Sequence, residues 1–455
     1  MLYKPFTHQR ETIDFLHQTP RAFIASTMGT GKTYSIIADI EKRIQANPKE
    51  KVLVIAPKSL VHSVWQNDIN KFAPHLTCTI ALAPEKKRRA SFEKRVNVYI
   101  TNTDATTWMA KNLPPSYFKD FSTIILDEST SFKHLSARTK ALHKLRKHFP
   151  IRRCLSGTPT AGPLTDLYYQ YFFLDDGKML GLRFNDYKYQ VQYAIQTGPQ
   201  PNMVKWVNKP GKEEVVAYIL KDITIRHVLE DVVDMPARIS YSMGFKPNAT
   251  TLRAYKALKA TARAQLKTGN INAVNAAALT TKLLQTLSGA VYDEEGKPHL
   301  VDPQRYELIM DLVDQTDHSV VFYNWTSQRL HLMELATKNK VNATFIDGTV
   351  NDKERHQRVN DYQAGKYKTI FLQVKAAAHG LTLTRATTTI WSCPTYLADY
   401  YIQANARIYR IGQKKRTTVI NVEAEGTLEK RVYENLNGKL NSIELLNEAL
   451  KEDIT

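Results

Sequence analysis

Cysteine and long apolar runs are scarce in this chain of 455 residues. Its three cysteines, Cys78, Cys154 and Cys393, lie far apart and without the spacing of metal ligands, which argues against a disulfide framework and against a zinc site. There is no apolar run of about 18 residues, and the first residues lack the apolar core of a signal peptide. These absences predict a cytoplasmic protein with reduced thiols that neither enters nor crosses a membrane.

Acidic residues are also in short supply. The chain has 44 Asp and Glu against 63 Lys and Arg, which gives a formal net charge of +19 at pH 7. So large an excess of positive charge predicts a polyanionic partner, most often nucleic acid, although a generally solvated basic surface is the alternative reading. The hydrophobic content of 43% and the chain length fit about two to three globular domains.

Residues 26–33 have the pattern of a phosphate-binding loop. The apolar run 22–25 before them predicts a short buried strand, and the periodic run 34–40 after them predicts a helix, which is the setting such a loop needs. Ser26 stands at the first position, where the strict pattern has glycine. A chance Gly-Lys-Thr turn is the alternative reading, and the flanking strand and helix argue against it.

Each residue type in this loop has a physical reason to be there. Gly29 and Gly31 let the backbone curl so that its N–H groups point at an anion, and the helix that follows adds the positive end of its dipole. We expect Lys32 to reach the β- and γ-phosphates of a bound nucleotide and the Thr33 hydroxyl to bind Mg²⁺.

A pair of carboxylates ends the apolar run 123–126. Asp127 and Glu128 are thereby predicted at the end of a strand, with room for intervening strand–helix units after Lys32. Asp127 is expected to hold Mg²⁺, directly or through water, and Glu128 to orient and deprotonate the attacking water. An acidic cap after a strand is the alternative reading, which the upstream phosphate loop makes less attractive.

Two arginines mark the segment 403–413. Arg407 and Arg410 are three residues apart, so on a helix they would share a face and could clamp phosphates bidentately. In a cleft that faced the phosphate loop they would act as arginine fingers on the γ-phosphate. A solvated or DNA-phosphate-binding helix is the alternative reading.

The chain alternates predicted strands and helices in two stretches, which indicates an α/β protein with two parallel sheets flanked by helices. The strands are predicted at 22–25, 52–57, 98–102, 123–128 and 154–159, and then at 319–323, 343–346, 369–372, 388–391 and 419–422. We predict a first lobe at 1–174, an inserted irregular subdomain at 175–235, a helical linker at 236–300 and a second lobe at 301–455. Met235 and Pro236 are the expected boundary, and 428–446 is predicted to be helical.

The ordered motifs resemble superfamily-two helicase-like ATPases, and most closely their Swi/Snf-type branch. The resemblance covers nearly the whole chain and implies two RecA-like lobes, each a parallel sheet flanked by helices, with small inserted helical segments. The segments that carry it are 26–33, 55–60 with Trp65, 127–128, 156–159, 320–330, 375–384 and 403–413.

Carried over by position, the resemblance implies the roles of single residues. The nucleotide is contacted by Gln9, which reads adenine, and by Met28, Gly29, Thr30, Gly31, Lys32, Thr33 and Gly380. The catalytic residues are Lys32, Asp127, Glu128, Arg407 and Arg410, and Mg²⁺ is held by Thr33 and Asp127. DNA phosphates are contacted by Lys58, Ser59, Thr103 and Lys375. Hydrolysis is coupled to motion by Ser156 and Thr158.

The chain departs from the family pattern at two places. Thr130 stands where a histidine is common, which predicts altered coupling of hydrolysis to motion. Ala377 and Ala378 stand where two glycines are usual, which predicts a stiffer loop. No chromatin-reader domain is evident, so this basic chain is expected to resemble phage-encoded helicases that remodel forks and branch-migrate junctions.

The expected function is therefore an ATP- and Mg²⁺-dependent DNA helicase or translocase. We expect it to act on forked or branched DNA without sequence preference and as a monomer, inside a bacterial or phage-infected cell. Translocation on duplex DNA without strand separation is the alternative within this class. A non-catalytic nucleic-acid-binding protein and a phosphate-loop kinase are the alternatives from other classes; the kinase would not need Arg407 and Arg410.

Overall fold

The computed structural model describes residues 3–160, 162–196, 204–267, 281–292, 295, 298–377, 380–395, 398–434 and 436. The expected helical leucines Leu440 and Leu446, and the loop residues Ala378 and His379, lie outside these ranges. No helix within them is long and apolar enough to cross a membrane.

The described residues form two compact units. The first contains residues 3–195 and 205–234, and the second contains Gln196, Val204 and residues from Met235 onwards. The division falls between Asp234 and Met235.

The first unit is built on a parallel sheet of seven strands in the order β3-β4-β2-β5-β6-β1-β9. A separate two-stranded sheet pairs β7 with β8. The strands are β1 Arg21–Ile24, β2 Lys51–Ala56, β3 Cys78–Ala81, β4 Val98–Asn102, β5 Phe121–Asp127, β6 Ile151–Leu155, β7 Gln192–Gln196, β8 Val204–Asn208 and β9 Thr224–Ile225.

Continuous apolar strands in this sheet are buried on both faces. Along β2, Val52 and Val54 pack into one hydrophobic cluster while Leu53 and Ile55 pack into another. This alternation follows from the two-residue period of a strand, and it explains why a parallel sheet covered by helices reads as an unbroken apolar run.

Helices connect the strands of the first unit. They are α1 Thr7–Gln18, α2 Lys32–Ala46, α3 Lys58–Leu60, α4 Asn67–Phe72, α5 Glu85–Phe92, α6 Ala105–Asn112, α7 Ala137–Leu145, α8 Tyr168–Asp175, α9 Phe184–Val191, α10 Lys212–Leu220 and α11 Leu229–Val232. A π-helical turn, Val61–Gln66, joins α3 to α4, and 3₁₀ turns lie at Pro115–Phe118, Ser129–Phe132, Arg146–His148, Leu164–Leu167 and Lys221–Ile223.

The second unit is built on a parallel sheet of six strands in the order β10-β17-β16-β13-β15-β14, and β11 pairs antiparallel with β12. Its strands are β10 Arg238–Phe245, β11 Ala290–Tyr292, β12 Pro298–Leu300, β13 Ser319–Tyr323, β14 Ala343–Ile346, β15 Thr369–Gln373, β16 Thr388–Trp391 and β17 Thr417–Ala424. The helices are α12 Ala249–Lys267, α13 Gln304–Asp314, α14 Thr326–Lys338, α15 Asp352–Gln363, α16 Val374–Ala377 and α17 Ala398–Asn405.

A buried ion pair closes the core of the second unit. Arg305 at the start of α13 donates from Nη2 to both carboxylate oxygens of Glu429, at 2.8 and 2.9 Å, and both side chains are fully buried. The Arg305 guanidinium also lies over the ring of Phe245. Because a buried charge is tolerated only when it is paired and hydrogen-bonded, this arrangement fixes the chain after β17 against α13.

The two parallel α/β sheets predicted from the sequence are confirmed, and nine of the ten predicted strands lie within two residues of β1, β2, β4, β5, β13, β14, β15, β16 and β17. The strand predicted at 154–159 only overlaps β6, which begins three residues earlier and ends four residues earlier. Two strands lie in ranges expected to be something else. β9 lies within the expected insertion 175–235 and pairs with β1, and β10 lies within the expected helical linker and pairs with β17. Both strands belong to the main sheets, so these ranges contribute to the folded units themselves.

Candidate active site

The loops that carry the predicted site residues of the first unit lie at one edge of its sheet. β6 lies between β1 and β5, and all three run parallel. The segments that follow them, residues 25–31, 127–128 and 156–159, therefore lie side by side at the carboxyl edge. This is the edge at which open parallel α/β sheets bind their ligands.

The phosphate loop has the backbone that its glycines predict. Gly29 and Gly31 both have positive φ, 86° and 83°, and Gly31 caps α2, which begins at Lys32. The Thr30 hydroxyl donates to the carbonyl oxygen of Thr27 at 2.9 Å and closes the turn. A nucleotide phosphate at this place would meet backbone N–H groups and the positive end of a 15-residue helix.

Lys32 lies against the loop that precedes it. Its Nζ donates to the carbonyl oxygens of Ser26 and Thr27 at 2.9 and 3.1 Å. The ammonium is therefore held at the phosphate loop by backbone carbonyl oxygens. Thr33 follows at the second position of α2 and is half-buried.

The departure from the strict loop pattern at Ser26 has a structural use that the sequence did not reveal. The buried Ser26 hydroxyl accepts the backbone N–H of His227 at 3.0 Å, and the Thr27 hydroxyl accepts that of Leu229 at 2.8 Å. The Thr27 N–H donates to the His227 carbonyl at 2.9 Å. Ser26 thus fastens the phosphate loop to the chain after β9, which a glycine could not do.

The buried Gln9 amide ties α1 to the phosphate loop. Its Oε1 accepts the N–H of Phe6 at 3.1 Å, and its Nε2 donates to the carbonyl oxygen of Thr30 at 3.2 Å. A Cβ added at Gly31 would collide with the Gln9 Nε2. An amide has two N–H donors and two oxygen lone pairs. Gln9 therefore keeps one of each for the expected contact with adenine.

Asp127 is oriented by a residue distant in sequence. The Trp65 indole N–H donates to Asp127 Oδ2 at 2.8 Å, and the backbone N–H of Glu128 donates to Oδ1 at 3.0 Å. Trp65 is wholly buried on the π-helical turn, and only 7% of Asp127 is exposed. Glu128 has φ 51° and ψ 59°, a left-handed backbone that costs a non-glycine residue free energy and that is found most often at functional sites.

The segment after β6 packs directly against the phosphate loop. A Cβ added at Gly157 would lie 2.8 Å from Met28 Cγ, so a larger residue there would displace the Met28 side chain. The buried Ser156 hydroxyl accepts the N–H of Thr158 at 3.1 Å. The buried Thr158 hydroxyl has no hydrogen-bond partner among the described residues. The donor and acceptor of this hydroxyl, which lies beside the phosphate loop, are therefore unused among the described residues.

Gln170 links the two segments that were expected to couple hydrolysis to motion, and no local pattern in the sequence points to it. Its Oε1 accepts the Ser129 hydroxyl at 2.6 Å, and its Nε2 donates to the carbonyl oxygens of Pro159 and Asp166, both at 2.8 Å. The side chain is wholly buried. The segment after Glu128 is thus joined to the segment after β6 through one amide on α8.

The two arginines of the second unit do not lie on a helix, contrary to what their spacing suggested. α17 ends at Asn405, and Arg407 and Arg410 lie in the turns that follow. Arg410 Nη1 donates to the carbonyl oxygen of Leu381 at 3.1 Å and to the Thr382 hydroxyl at 2.9 Å. The chain leaves the helical path because it is bound to residues 381–386.

Gln413 also hydrogen-bonds to the segment 381–386. Its Nε2 donates to the carbonyl oxygens of Thr384 and Ala386 at 3.0 and 2.9 Å, while its Oε1 accepts the N–H groups of Lys414 and Lys415. The segment 380–386 begins at Gly380, which has φ 76°. The arginine turns and this segment therefore form one hydrogen-bonded substructure.

The residues expected to contact DNA phosphates differ in exposure. Lys58 at the start of α3 and Lys375 in α16 are exposed, and Ser59 is half-buried. Thr103 is buried, and its hydroxyl accepts from Arg138 Nη1 at 3.5 Å. Arg138, which sequence reasoning passed over, is the more accessible group at the end of β4.

The first unit offers the donor set that a Mg²⁺–nucleotide needs. Asp127 at the end of β5 and Thr33 at the start of α2 supply the oxygen ligands that Mg²⁺ prefers. The positive φ of Gly29 and Gly31 leaves the loop open to an anion, and the Thr158 hydroxyl is an unused polar atom beside it. These residues fit the Mg²⁺–ATP expected from the sequence.

Comparison with known proteins gives matches along most of the chain. A model of the SNF2-related domain matches residues 8–291, and a model of the helicase conserved C-terminal domain matches residues 304–412. Protein p41 of Acyrthosiphon pisum secondary endosymbiont phage 1 is 26% identical over 99% of both chains. The DNA excision repair protein ERCC-6-like of Mus musculus is 26% identical over 94% of this chain and 41% of its own length.

Among solved structures, the Sulfolobus solfataricus SWI2/SNF2 ATPase core in complex with dsDNA matches 98% of this chain and 95% of its own, at 20% identity and a TM-score of 0.45. The SNF2-related model alone spans more than half of the chain. The chain therefore belongs to the SNF2-related family and is a helicase-type ATPase of superfamily two.

Proposed function

We propose that this protein hydrolyses ATP with Mg²⁺ to move along DNA, and that its working substrate is forked or branched DNA. The observation that carries the ATPase part is the single edge of the first sheet, at which Lys32, Asp127, Glu128 and Thr158 follow adjacent parallel strands. The excess of 63 Lys and Arg over 44 Asp and Glu supports a polyanionic track.

In this proposal each residue of the edge has a separate task. Lys32 and the loop N–H groups bind the phosphates, and Thr33 and Asp127 hold Mg²⁺, which when bound neutralises charge on the phosphate oxygens. Trp65 fixes the orientation of the Asp127 carboxylate through its N–H. Glu128 takes the proton of the attacking water. Its backbone N–H donates to Asp127 Oδ1 and so limits how the Asp127 carboxylate can rotate relative to Glu128.

We propose that Arg407 and Arg410 stabilise the charge on the transferred γ-phosphoryl group, as arginine fingers do. The Arg410 contacts with Leu381 and Thr382 support the idea that the finger moves together with the segment after Gly380. DNA would be held chiefly through its phosphates, by Lys58, Ser59, Thr103 and Lys375, with little preference for sequence.

The proposed preference for branched DNA draws on one relative. The phage protein p41 matches 99% of this chain over 99% of its own length, so a chain of this size occurs in a phage. The chain spans about two-fifths of the length of the ERCC-6-like protein, so that protein's activity is not transferred.

The experiment compares strand separation and junction migration with translocation alone, in reactions matched for the rate of ATP hydrolysis. The first reaction releases a labelled strand from a fork and migrates a four-way junction. The second releases a third strand from a blunt triplex, which needs translocation alone. We expect release from forks and junctions with ATP and none in Lys32→Ala. Triplex release without fork or junction activity would overturn the branched-DNA proposal and favour a duplex translocase.

A further inference from the structure

The β7–β8 ribbon of the first unit exposes aromatic side chains that its core does not use. Tyr189 at the end of α9 is 61% exposed, and Tyr193 and Ile195 on β7 are 43% and 41% exposed. Trp206 on β8 is half-buried, and its ring meets that of Tyr189 edge to face, with centroids 5.4 Å apart. We call Tyr189, Tyr193 and Trp206 the ribbon aromatics.

Positive charge surrounds the ribbon aromatics. The Lys188 ammonium lies 3.5 Å from the centroid of the Trp206 ring, and Lys209 Nζ donates to the carbonyl oxygen of Tyr189 at 2.6 Å. Between Arg183 and Lys212 the sequence has five Lys or Arg and one acidic residue. Exposed rings set among cations suit a ligand that is both flat and anionic.

The end of the β7–β8 ribbon nearest the core is hydrogen-bonded to Leu164, in the segment that follows Ser156–Pro159. The Asn208 side-chain oxygen accepts both the Leu164 N–H, at 3.2 Å, and the Gln192 Nε2, at 3.1 Å. The Tyr187 hydroxyl donates to the Leu164 carbonyl oxygen at 3.0 Å. Movement at the nucleotide edge would therefore be passed to the ribbon through these three hydrogen bonds.

We propose that the ribbon aromatics stack on unpaired bases of a DNA single strand and thereby hold one strand at a fork. Base–aromatic stacking tolerates any sequence because every base has a π face, and lysines beside the rings add attraction to the phosphates. A paired duplex hides those faces, so the ribbon discriminates single-stranded from double-stranded DNA. This inference rests on the proposed action on branched DNA.

The test measures binding by fluorescence anisotropy to three labelled probes: an oligo-dT strand, a fork with two single-stranded arms, and a blunt duplex. Tyr189→Ala, Tyr193→Ala and Trp206→Ala are each expected to weaken binding to the strand and to the fork about tenfold, while binding to the blunt duplex stays unchanged. Tyr189→Phe keeps the ring and should bind like the unaltered protein. Tyr218→Ala on α10 is the matched control, because Tyr218 is also exposed and also has a lysine, Lys221, over its ring.

ATP hydrolysis stimulated by blunt duplex, measured in the same samples, separates this inference from the function on which it rests. If stimulation persists and single-strand affinity is unchanged in all three alanine variants, the stacking proposal is wrong and the motor proposal stands. An equal loss on strand and duplex would also overturn it, since the ribbon would then act on phosphates alone. If the unaltered protein shows no stimulation by any DNA, both proposals fail.

Discussion

At the scale of single residues, the contact between Trp65 and Asp127 decides how the proposed metal site is oriented. The two residues lie 62 positions apart, and the indole N–H takes one of the two carboxylate oxygens of Asp127 at 2.8 Å. A hydrogen bond to a metal-binding carboxylate fixes its direction, and loss of such a bond usually costs about 10- to 100-fold in metal affinity or activity.

Trp65→Phe removes the N–H donor and keeps an aromatic ring, although the phenyl ring is smaller than the buried indole. We expect the Mg²⁺ concentration for half-maximal ATP hydrolysis to rise about 10-fold or more, with a loss of about 2 to 4 kcal/mol in the free energy of unfolding from the cavity and the lost hydrogen bond. Mg²⁺ titration of steady-state hydrolysis is the measurement. Trp108→Phe in α6 is the control, since that indole packs elsewhere in the same unit. An unchanged Mg²⁺ requirement in Trp65→Phe would show that the indole does not orient the metal ligand.

His227 predicts a pH dependence of stability. Burial, together with the nearby His8 and Arg226, lowers the pKa of His227 from its usual 6.5 to about 4. The unfolded chain therefore binds this proton between pH 6.5 and 4 while the folded chain does not. The free energy of unfolding should fall as pH is lowered through that window, by about 3 kcal/mol at most from this group.

The measurement is urea unfolding of the unaltered protein and of His227→Gln at several pH values from 7 to 4. The difference in slope between them isolates this residue, because other groups such as His143, whose pKa is also lowered to about 4, contribute to both. His62→Gln, at an exposed histidine, is the control. Parallel slopes for the unaltered protein and His227→Gln would contradict the assignment.

At the scale of elements, the Gln170 bridge couples α8 to both functional segments of the first unit. Beside Thr130, where the resemblance to the family leads us to expect a coupling histidine, the hydrogen bonds run from Ser129 through Gln170 to Pro159. A buried amide whose oxygen and nitrogen are both hydrogen-bonded transmits a displacement better than a solvated contact does. Its partners cannot replace these hydrogen bonds with hydrogen bonds to water.

Gln170→Met keeps the side-chain volume and removes three hydrogen bonds. We expect ATP hydrolysis without DNA to change little, while its stimulation by DNA falls about 2- to 30-fold. The ratio of stimulated to unstimulated turnover is therefore the quantity to measure. Gln328→Met removes a glutamine of equal burial in the second unit and serves as the control for lost stability. If the two turnover rates fall in parallel, Gln170 is only structural.

The elements that could be predicted from the sequence are those with a strong local pattern. β2 and β5 contain the apolar runs 52–56 and 124–126, and Gly29 and Gly31 lie between a strand and the helix that begins at Lys32, as their pattern requires. β10 was not predicted as a strand because only alternate residues, from Ile239 to Phe245, are apolar and most of the strand is exposed. β9 has two residues, too few for any period.

The parts of the site that could not be predicted depend on contacts between distant residues. Neither Trp65 with Asp127 nor Ser129 with Gln170 leaves a local pattern, because each pair is made by the packing of separate elements. The helical placement of Arg407 and Arg410 was wrong for the same reason. Gln413 binds the carbonyl oxygens of residues 384 and 386, and this contact from outside the segment competes with the helix.

At the scale of the whole molecule, the proposal gives Arg407 and Arg410 of the second unit a part in ATP hydrolysis. Arg407→Ala and Arg410→Ala should each lower ATP turnover by about 10³-fold in the presence of DNA, since an arginine finger contributes that much to phosphoryl transfer. Steady-state hydrolysis at saturating ATP measures it. Arg385→Ala is the control, because Arg385 is an exposed arginine of the second unit that donates to His318 and Gln363. Normal turnover in both variants would remove the finger assignment.

The measurement that tests the central claim most directly is steady-state ATP hydrolysis by the unaltered protein and by Glu128→Gln. It is made without nucleic acid and with single-stranded, duplex, forked and four-way-junction DNA. The account predicts strong stimulation by DNA, greatest with forks and junctions, and loss of about 10²- to 10⁴-fold in Glu128→Gln, because the variant keeps the shape of the side chain but cannot take a proton. A rate of ATP hydrolysis that DNA does not change, or that is unchanged in Glu128→Gln, would contradict the account.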